Sequence, residues 1–333
     1  MLQQIKYSLA LMAISLLPAL PALAVDSAVP GTVNYVEGQV SVAGQPVTSR
    51  AVGSVQIQPN QVLETGQGRA EVLLTPGVFL RVGNHSAVRL LSPNLANTQV
   101  ELLNGQAIVE VTELFKDNNL SVLMDGASTR LDKQGLYAFD ANTRAIRVLD
   151  GKATVLANDR NVDLGKGKEL LLAGRLKGQH FDAKAVAEQD PLYAWSNLRS
   201  EYEAEASMQS ARAVFVGGGP YWYGPGWYWN PYWDMYGFIP GAGIWYSPFG
   251  WPFYSPYVAY WGGGFGYGGF GYGYGHGYLA RGHGHVTGAH VGIGSGGRFG
   301  ASARLGGGGF AGHGFAGGMR GGFGGGFGGG GRR

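Results

Sequence analysis

The sequence predicts an all-β domain, followed by one helix and a disordered low-complexity tail. Apolar residues alternate with polar ones between residues 33 and 173, as at Val109 and Val111, which places one set of side chains on a buried face. Turn dipeptides of the kind that supplies the positive φ angles of tight hairpins separate these runs. They include Glu37-Gly38, Thr65-Gly66, Asn104-Gly105, Asp125-Gly126 and Asp150-Gly151. Many short strands at this spacing predict a sandwich, a barrel or a solenoid.

Residues 1–24 have the features of a secretory signal peptide. Lys6 supplies positive charge, residues 9–17 form an apolar run, and Ala22-Leu23-Ala24 is a small-x-small cleavage site. An uncleaved anchor helix is the alternative, but the run is shorter than the roughly 20 apolar residues that span a bilayer. We therefore expect an exported protein, in the periplasm or at the outer cell surface. The chain contains no cysteine, which excludes disulfides and a lipid on an N-terminal cysteine.

The ordered strand motifs between residues 31 and 173 resemble a FecR-type domain. They are VEGQV at 36–40, LETGQGRAEVLLTPGVFLRV at 63–82, VELLNGQA at 100–107, RVLDGKATV at 147–155 and LGKGKEL at 164–170. Pro76 stands where the family commonly has an aspartate. The resemblance implies an exported, solenoid-like or sandwich-like β-domain over residues 25–181.

The best-known members of this family use the domain as the outer half of a membrane regulator that passes a transport signal to a sigma factor. We expect neither a cytosolic segment before the signal sequence nor an internal transmembrane helix in this chain. The resemblance therefore implies the domain and not the signalling pathway.

Residues 182–212 are predicted to form one amphipathic helix. Asp190-Pro191 places a capping residue before a proline at the first helical position. Apolar residues then recur at spacings of three and four and define one face, made of Leu192, Trp195, Leu198, Tyr202 and Ala206. We expect this helix to pack on the β-domain or to fray into solvent, and a partner-binding helix is the alternative.

Residues 213–261 form a Trp/Tyr/Pro-rich segment, which is the candidate interaction site. Its spaced prolines exclude a regular helix or a central strand, so we expect its rings to be exposed unless they pack on one another. Exposed ring clusters mark interaction surfaces. The expected partner is an envelope protein or glycan, and self-packing without a ligand is the alternative. The candidate residues are Trp222, Trp227, Trp229, Trp233, Trp245, Trp251 and Trp261.

Residues 262–333 are predicted to be a disordered, glycine-rich tail. Of the 60 glycines, 44 follow residue 216, and ordering so many costs too much backbone entropy for a conventional core. No acidic residue follows Asp234, so the end of the chain is basic. On an exported protein this favours anionic envelope polymers or lipid head groups over nucleic acid, and the spaced aromatic residues favour self-association.

The sequence indicates no catalytic or metal centre. His276, His283, His285 and His290 could chelate zinc or copper, but no carboxylate or thiol accompanies them, so we predict no metal site and no cofactor. No nucleophile partner is identifiable for His85 or His180, and the acidic residues form no paired-carboxylate motif.

The sequence therefore predicts a non-enzymatic envelope protein that binds or scaffolds through its β-domain and its aromatic segment. A periplasmic signalling component that acts with a separate membrane regulator is the alternative.

Overall fold

Strands and short turns account for most of the described chain. The computed structural model describes residues 28–216 and 224–261, so the predicted signal peptide and the predicted glycine-rich tail lie outside the described residues. All described residues belong to one unit. The strands of the main sheet are β1 (Val33–Val42), β2 (Gln45–Pro46), β3 (Val62–Leu73), β4 (Val78–Val82), β5 (Ala87–Asn94), β6 (Asn97–Asn104), β7 (Gln106–Val111), β8 (Asn119–Met124), β9 (Ala127–Leu131), β10 (Gly135–Asp140), β11 (Ala145–Asp150), β12 (Lys152–Ala157), β13 (Arg160–Gly165), β14 (Lys168–Leu171) and β15 (Gln179–His180).

Three helices and two small hairpins complete the described chain. The helices are α1 (Ala183–Gln189), α2 (Pro191–Val216) and α3 (Pro256–Trp261). The hairpins pair β16 (Gly226–Asn230) with β17 (Met235–Ile239), and β18 (Ile244–Tyr246) with β19 (Pro252–Tyr254).

The main sheet has 15 strands and is mixed. Its hydrogen-bonded order is β13-β12-β9-β8-β6-β5-β3-β4-β7-β10-β11-β14-β15, with β1 paired to β3 and β2 paired to β1. Strands β6 and β8 run parallel, from the pair Asn97 and Asn119 to the pair Leu102 and Met124.

The sheet folds over at β3. Residues 62–64 of this strand pair with β5, and residues 70–73 pair with β4, so one strand serves both halves. The inner faces of the halves share one apolar cluster, which includes Val72 and Leu80 from one half and Leu90 and Val100 from the other. Strands that switch layers through a bend are a feature of sandwiches. The all-β prediction is confirmed, in its sandwich-like form.

Only some of the predicted turns are hairpins. Asp125-Gly126 connects β8 to β9 as a two-residue turn with both φ angles positive, at 51° and 75°. Glu37-Gly38 and Thr65-Gly66 were predicted to separate strands, but they lie inside β1 and β3. The register of that strand pair shifts between Gly38 and Val40. A shift of this kind bends a strand without ending it, so the chain continues where a turn was predicted.

Gly105 and Gly151 lie at corners between the layers, and the hairpin prediction for both positions is wrong. Strand β6 pairs with β5 and β8, whereas β7 pairs with β4 and β10. Strand β11 likewise pairs with β10 and β14, and β12 with β9 and β13. Each glycine has a positive φ, 77° at Gly105 and 93° at Gly151, as a left-handed position requires. The local conformation was therefore predictable, but the partner of each strand was not.

Two helices occupy the region where one was predicted. The Asp182 carboxylate caps α1 by accepting hydrogen bonds from the amides of Lys184 and Ala185, both at 3.0 Å. The Asp190 carboxylate accepts from the Leu192 amide at 2.8 Å, and α2 begins at Pro191, as the sequence indicates. Helix α2 continues to Val216, beyond the predicted end at 212.

The face that α2 buries is part apolar and part polar. Of the five residues predicted to form an apolar face, Leu192, Trp195 and Ala206 are buried, whereas Leu198 and Tyr202 are 44% and 38% exposed. In the middle of the helix the buried side chains are polar and include Arg199, Ser200 and Glu203. The prediction of this face is therefore correct in part, and it is wrong where the outer face of the sheet presents charged groups.

A network of fully buried ionisable side chains joins α2 to the sheet. Glu71 of β3, Arg81 of β4 and Glu110 of β7 have no exposed side-chain surface. The Arg81 Nε atom donates to Glu71 Oε2 at 2.8 Å, and Arg81 Nη1 donates to Glu110 Oε2. These three groups form a row across neighbouring strands on the face that α2 covers.

Helix α2 completes this network from above. The Arg199 Nη2 atom donates to Glu71 Oε1 at 2.9 Å and to Glu203 Oε1 at 3.2 Å. The Ser200 hydroxyl donates to Glu110 Oε1 at 2.8 Å. The Arg199 guanidinium also lies over the Tyr35 ring, 4.1 Å from its centroid. Arg199 and Ser200 thus join the middle of α2 to the carboxyl groups of the sheet.

Asn34 of β1 connects the network to the first small hairpin. Its Nδ2 atom donates to Glu203 Oε1 at 2.7 Å and to the Tyr236 carbonyl at 3.1 Å. Its Oδ1 atom accepts from the Tyr236 amide at 2.8 Å. One buried amide side chain therefore joins β1, α2 and β17, and we call Asn34, Glu71, Arg81, Glu110, Arg199, Ser200 and Glu203 the buried network.

The pKa values of two carboxyl groups in the buried network are shifted in opposite directions. Burial raises the pKa of Glu203 well above its usual 4.5, and the neighbouring negative charge of Glu71 raises it further. Burial also acts to raise the pKa of Glu71, but the charges of Arg199 and Arg81 outweigh this and hold it far below its usual range. With the proton that this shift favours on Glu203, two guanidinium groups face the carboxyl groups of Glu71 and Glu110 in equal number. Charge neutrality is what makes this cluster tolerable in the interior.

We predict that Gly151→Val destabilises the protein more than Gly126→Val does. Both glycines have positive φ, so each substitution strains the backbone by about 1–2 kcal/mol. A side chain at Gly126 meets open space, whereas a Cβ atom at Gly151 would lie 2.4 Å from the Tyr137 hydroxyl and 2.7 Å from the Gln134 carbonyl. Overpacking should add at least about 1 kcal/mol at Gly151. Chemical denaturation measures both, and equal losses would contradict the corner at Gly151.

We predict that one chemical change has different effects at the two adjoining glutamates. Glu71→Gln removes the carboxylate that pairs with two buried guanidinium groups and should cost about 3–5 kcal/mol at neutral pH. Glu203→Gln places a neutral amide where the raised pKa favours a neutral carboxyl group. It should lower the free energy of unfolding by about 1 kcal/mol or less. The free energy of unfolding from urea titrations tests this, and equal losses would disprove the assigned protonation states.

The opposite pKa shifts of Glu71 and Glu203 predict how the stability of the protein depends on pH. The raised pKa of Glu203 gives stability that is complete below pH 4.5 and is lost as the pH rises towards the pKa of the folded state. The lowered pKa of Glu71 gives stability that is present above pH 4.5 and is lost as the pH falls. In the Glu203→Gln variant, the free energy of unfolding should therefore fall less steeply than in the wild type as the pH rises above 4.5. An unchanged slope in this pH range would contradict the prediction.

Candidate interaction surface

The described part of the aromatic segment has regular structure, contrary to the prediction from its prolines. Its two hairpins and α3 cover residues 226–261. Pro252 is the first residue of β19, which belongs to a two-stranded sheet and so has a free edge. Pro256 is the first residue of α3. Both positions tolerate a missing amide donor, so prolines here bound the elements and do not abolish them.

Trp227 is a core residue. It is 7% exposed and belongs to an apolar cluster with Leu73, Phe79, Phe238 and Phe253. Its ring centroid lies 5.0 Å from that of Phe79, edge to face, and 5.8 Å from that of Phe238. Leu73 and Phe79 project from the outer face of the sheet, so the hairpin covers apolar surface that the β-domain would otherwise expose. Of the two outcomes that the sequence left open, exposure or packing, the structure shows packing for this ring.

Four other candidate tryptophans are half-buried. Trp229 packs against Tyr236, with centroids 5.1 Å apart, and Trp233 packs against Tyr202 of α2 at 5.7 Å. The indole nitrogen of Trp251 donates to Asn197 Oδ1 at 2.9 Å, and that of Trp245 donates to the Ala242 carbonyl at 3.1 Å. These contacts attach the hairpins to α2 or close their own turns.

The first hairpin and α2 approach very closely at Gly237. A Cβ atom at this glycine would lie 2.9 Å from the Ser207 amide nitrogen, so any larger residue would push the hairpin away from the helix. The Ser207 hydroxyl donates to the Phe238 carbonyl. Residues on both sides of the predicted boundary at 212 thus form one packed body. The candidate residue Trp222 lies outside the described residues.

Three exposed rings lie close together on α3, beside the end of α2. Tyr257, Tyr260 and Trp261 of α3 are 67%, 44% and 60% exposed. The Phe215 ring of α2 stacks on Tyr260, with centroids 4.2 Å apart, and the Tyr260 and Trp261 rings meet edge to face at 5.6 Å. We call Phe215, Tyr257, Tyr260 and Trp261 the terminal aromatic patch. Of the seven candidate tryptophans, Trp261 is the one that the structure places in this patch.

An apolar cavity of about 470 Å³ adjoins the patch. It is lined by Val214 and Phe215 of α2, by residues 241–243 and by residues 255–258. No charged or amide side chain is among the lining residues. Beneath the patch, Arg212 Nε donates to the Ala259 carbonyl at 3.0 Å and ties α3 to α2. The site therefore consists of a set of contacting rings, on a helix that is hydrogen-bonded to α2, beside a largely apolar recess.

The described residues contain no constellation suited to chemistry on a metal. Within 28–216 and 224–261, no three or more His, Asp or Glu side chains lie where they could hold a metal ion. The four tail histidines that the sequence analysis considered lie outside these ranges. In the same part of the chain, no helix is both long and apolar enough to cross a membrane. The prediction of a non-catalytic protein stays a prediction.

Sequence reasoning missed the residues that hold this surface in place. The signal was present at residues 78–82, where apolar residues occupy both faces of β4 and Arg81 interrupts them. A strand that is apolar on both faces is covered on both faces. A charged residue within such a strand requires a buried partner. Neither rule identifies the partners, which are Glu71 of β3 and Glu110 of β7, or the helix α2 that covers them more than a hundred residues later in the chain.

Comparison with known proteins gives little guidance. No protein-family model matches the chain, and no curated protein matches it. Among solved structures, the chain is similar to two crystal structures of a "putative anti-sigma factor" from Parabacteroides distasonis, each with a TM-score of 0.34. One is 17% identical and covers 38% of this chain and 62% of its own, and the other is 16% identical and covers 41% and 64%. This chain thus spans less than two-thirds of either structure. At this similarity, function does not transfer, and the FecR-type assignment stays a prediction.

Proposed function

We propose that the protein is a non-catalytic attachment protein of the cell envelope, which binds an envelope component through the terminal aromatic patch. The observation that carries this proposal is the exposure of Tyr257, Tyr260 and Trp261 beside an apolar cavity. A contiguous set of exposed rings marks an interaction surface. The signal peptide in the sequence supports export, and with it an envelope partner.

The division of the aromatic residues supports this proposal. Trp227 is used for the core, and Trp229, Trp233, Trp245 and Trp251 attach their hairpins. The patch therefore rests on a packed support and does not need to order when it binds. Rings that are already fixed lose little conformational entropy on binding, which favours a useful affinity from few contacts.

We predict that core and patch tryptophans respond differently to alanine. Trp227→Ala should cost about 3–5 kcal/mol, because it opens a cavity among Phe79, Phe238 and Phe253. Trp261→Ala should change the free energy of unfolding by about 0.5 kcal/mol or less, because the ring is 60% exposed. Thermal and urea unfolding of both variants measure this. A large loss at Trp261 would mean that the patch is structural.

We predict that the patch determines attachment. The variant Tyr257→Ser/Tyr260→Ser/Trp261→Ser should move from the envelope pellet to the soluble fraction while its unfolding midpoint changes little. Tyr257→Ser alone should weaken retention, and Tyr232→Ser is the matched control, since Tyr232 is 82% exposed and lies outside the patch. Cell fractionation with quantitative immunodetection provides the readout.

Retention of the triple variant at the wild-type level would contradict the proposed function. Recovery of one discrete membrane regulator with the wild-type protein, through contacts that the triple variant keeps, would instead support the signalling alternative.

A further inference from the structure

We propose that the partner of the terminal aromatic patch is the surface of an anionic lipid bilayer. This inference rests on the proposed attachment function and names its partner class. Two independent observations carry it, the chemistry of the patch and the charge of the chain that follows it.

The patch has the chemistry of a membrane–water interface. Tyrosine and tryptophan are enriched at such interfaces because each combines an apolar ring with one polar group at its edge. Tyr257, Tyr260 and Trp261 provide three such rings in five residues, and Val216 beside them is 70% exposed. The rings can enter the acyl boundary while their polar edges remain among the head groups.

The same chemistry disfavours a glycan. Sites that recognise sugars place hydrogen-bonding side chains around the ring platform, because each sugar hydroxyl loses water on binding. Of the nine residues that line the cavity beside the patch, Ser255 and Tyr257 each carry one hydroxyl group, and none has a charged or amide side chain. An apolar recess of this kind accepts hydrocarbon more readily than a polyol.

The charge of the chain beyond the patch complements an anionic surface. Trp261 is followed by 72 residues that contain six arginines and no acidic residue: Arg281, Arg298, Arg304, Arg320, Arg332 and Arg333. The guanidinium group of Arg212 also lies beneath α3. Basic residues next to an interfacial element strengthen binding to anionic lipids. Stable peripheral attachment takes two signals, and this chain offers inserted rings and arginines.

Vesicle sedimentation tests this inference. The chain from Val25 onward is used, since residues 1–24 are apolar enough to bind lipid by themselves. It is mixed with vesicles of phosphatidylcholine alone, or with one-third phosphatidylglycerol, at about 0.1 M and about 1 M salt, where the screening length falls from about 10 Å to about 3 Å. The wild-type chain should bind the anionic vesicles and lose part of this binding at high salt.

Two variants separate the two signals. Tyr257→Ser/Tyr260→Ser/Trp261→Ser should lower the vesicle partition coefficient at least about tenfold, which corresponds to about 1.4 kcal/mol. Replacement of the six arginines by glutamine should remove the salt-sensitive part and leave the remainder. Tyr232→Ser should match the wild type, and a blue shift of Trp261 fluorescence, absent from a Trp261→Phe variant, would place this ring in lipid.

Several results would overturn the inference. They are the absence of wild-type binding to anionic vesicles at low salt, equal binding by the patch variant, and a patch-dependent dimer in light scattering without vesicle binding. Patch-dependent binding to an insoluble cell-wall glycan, with none to vesicles, would overturn the lipid assignment and leave the attachment function standing. Envelope retention that does not depend on the patch would overturn the attachment function itself.

Discussion

The buried network at the centre of the molecule is the interaction on which the other packing depends. It places two guanidinium groups and three carboxyl groups where no water reaches them, on the outer face of the sheet. Such groups are tolerable only if their charges are balanced, and the raised pKa of Glu203 favours the protonated form that balances them. Removing α2 would leave Glu71, Arg81 and Glu110 at a solvent-facing surface, so the sheet and the helix have their native contacts only together.

The aromatic segment follows from this arrangement. Asn34 binds the backbone of Tyr236 and the carboxyl group of Glu203, so the first hairpin is held by the same groups that hold α2. Once this hairpin is in place, Trp227 covers Phe79, and Gly237 allows the backbone to lie against Ser207. The hydrophobic contacts provide much of the stabilisation, and the directional hydrogen bonds determine where the hairpin sits.

The aromatic residues of this segment have different roles, which depend on where they lie. Tryptophans at the start of the segment lie over the sheet and α2, where apolar surface is available to bury them. Helix α3 lies beyond the end of that surface, so its rings contact one another and the last turns of α2. A binding role is therefore better assigned to the terminal aromatic patch than to the segment as a whole, and it is separable from folding.

The sequence by itself determined the all-β class, the left-handed glycines and the start of α2 at Pro191, because each depends on a few neighbouring residues. It also indicated, through Arg81 within an apolar strand, that a buried charge needed a partner. Only the tertiary structure decided which strands pair on either side of Gly105 and Gly151. It also decided which polar residues of α2 are buried, and whether each tryptophan lies in the core or at the surface. These depend on contacts between residues far apart in the chain, and an aromatic residue flanked by glycine and proline has the same local pattern whether or not another surface covers it.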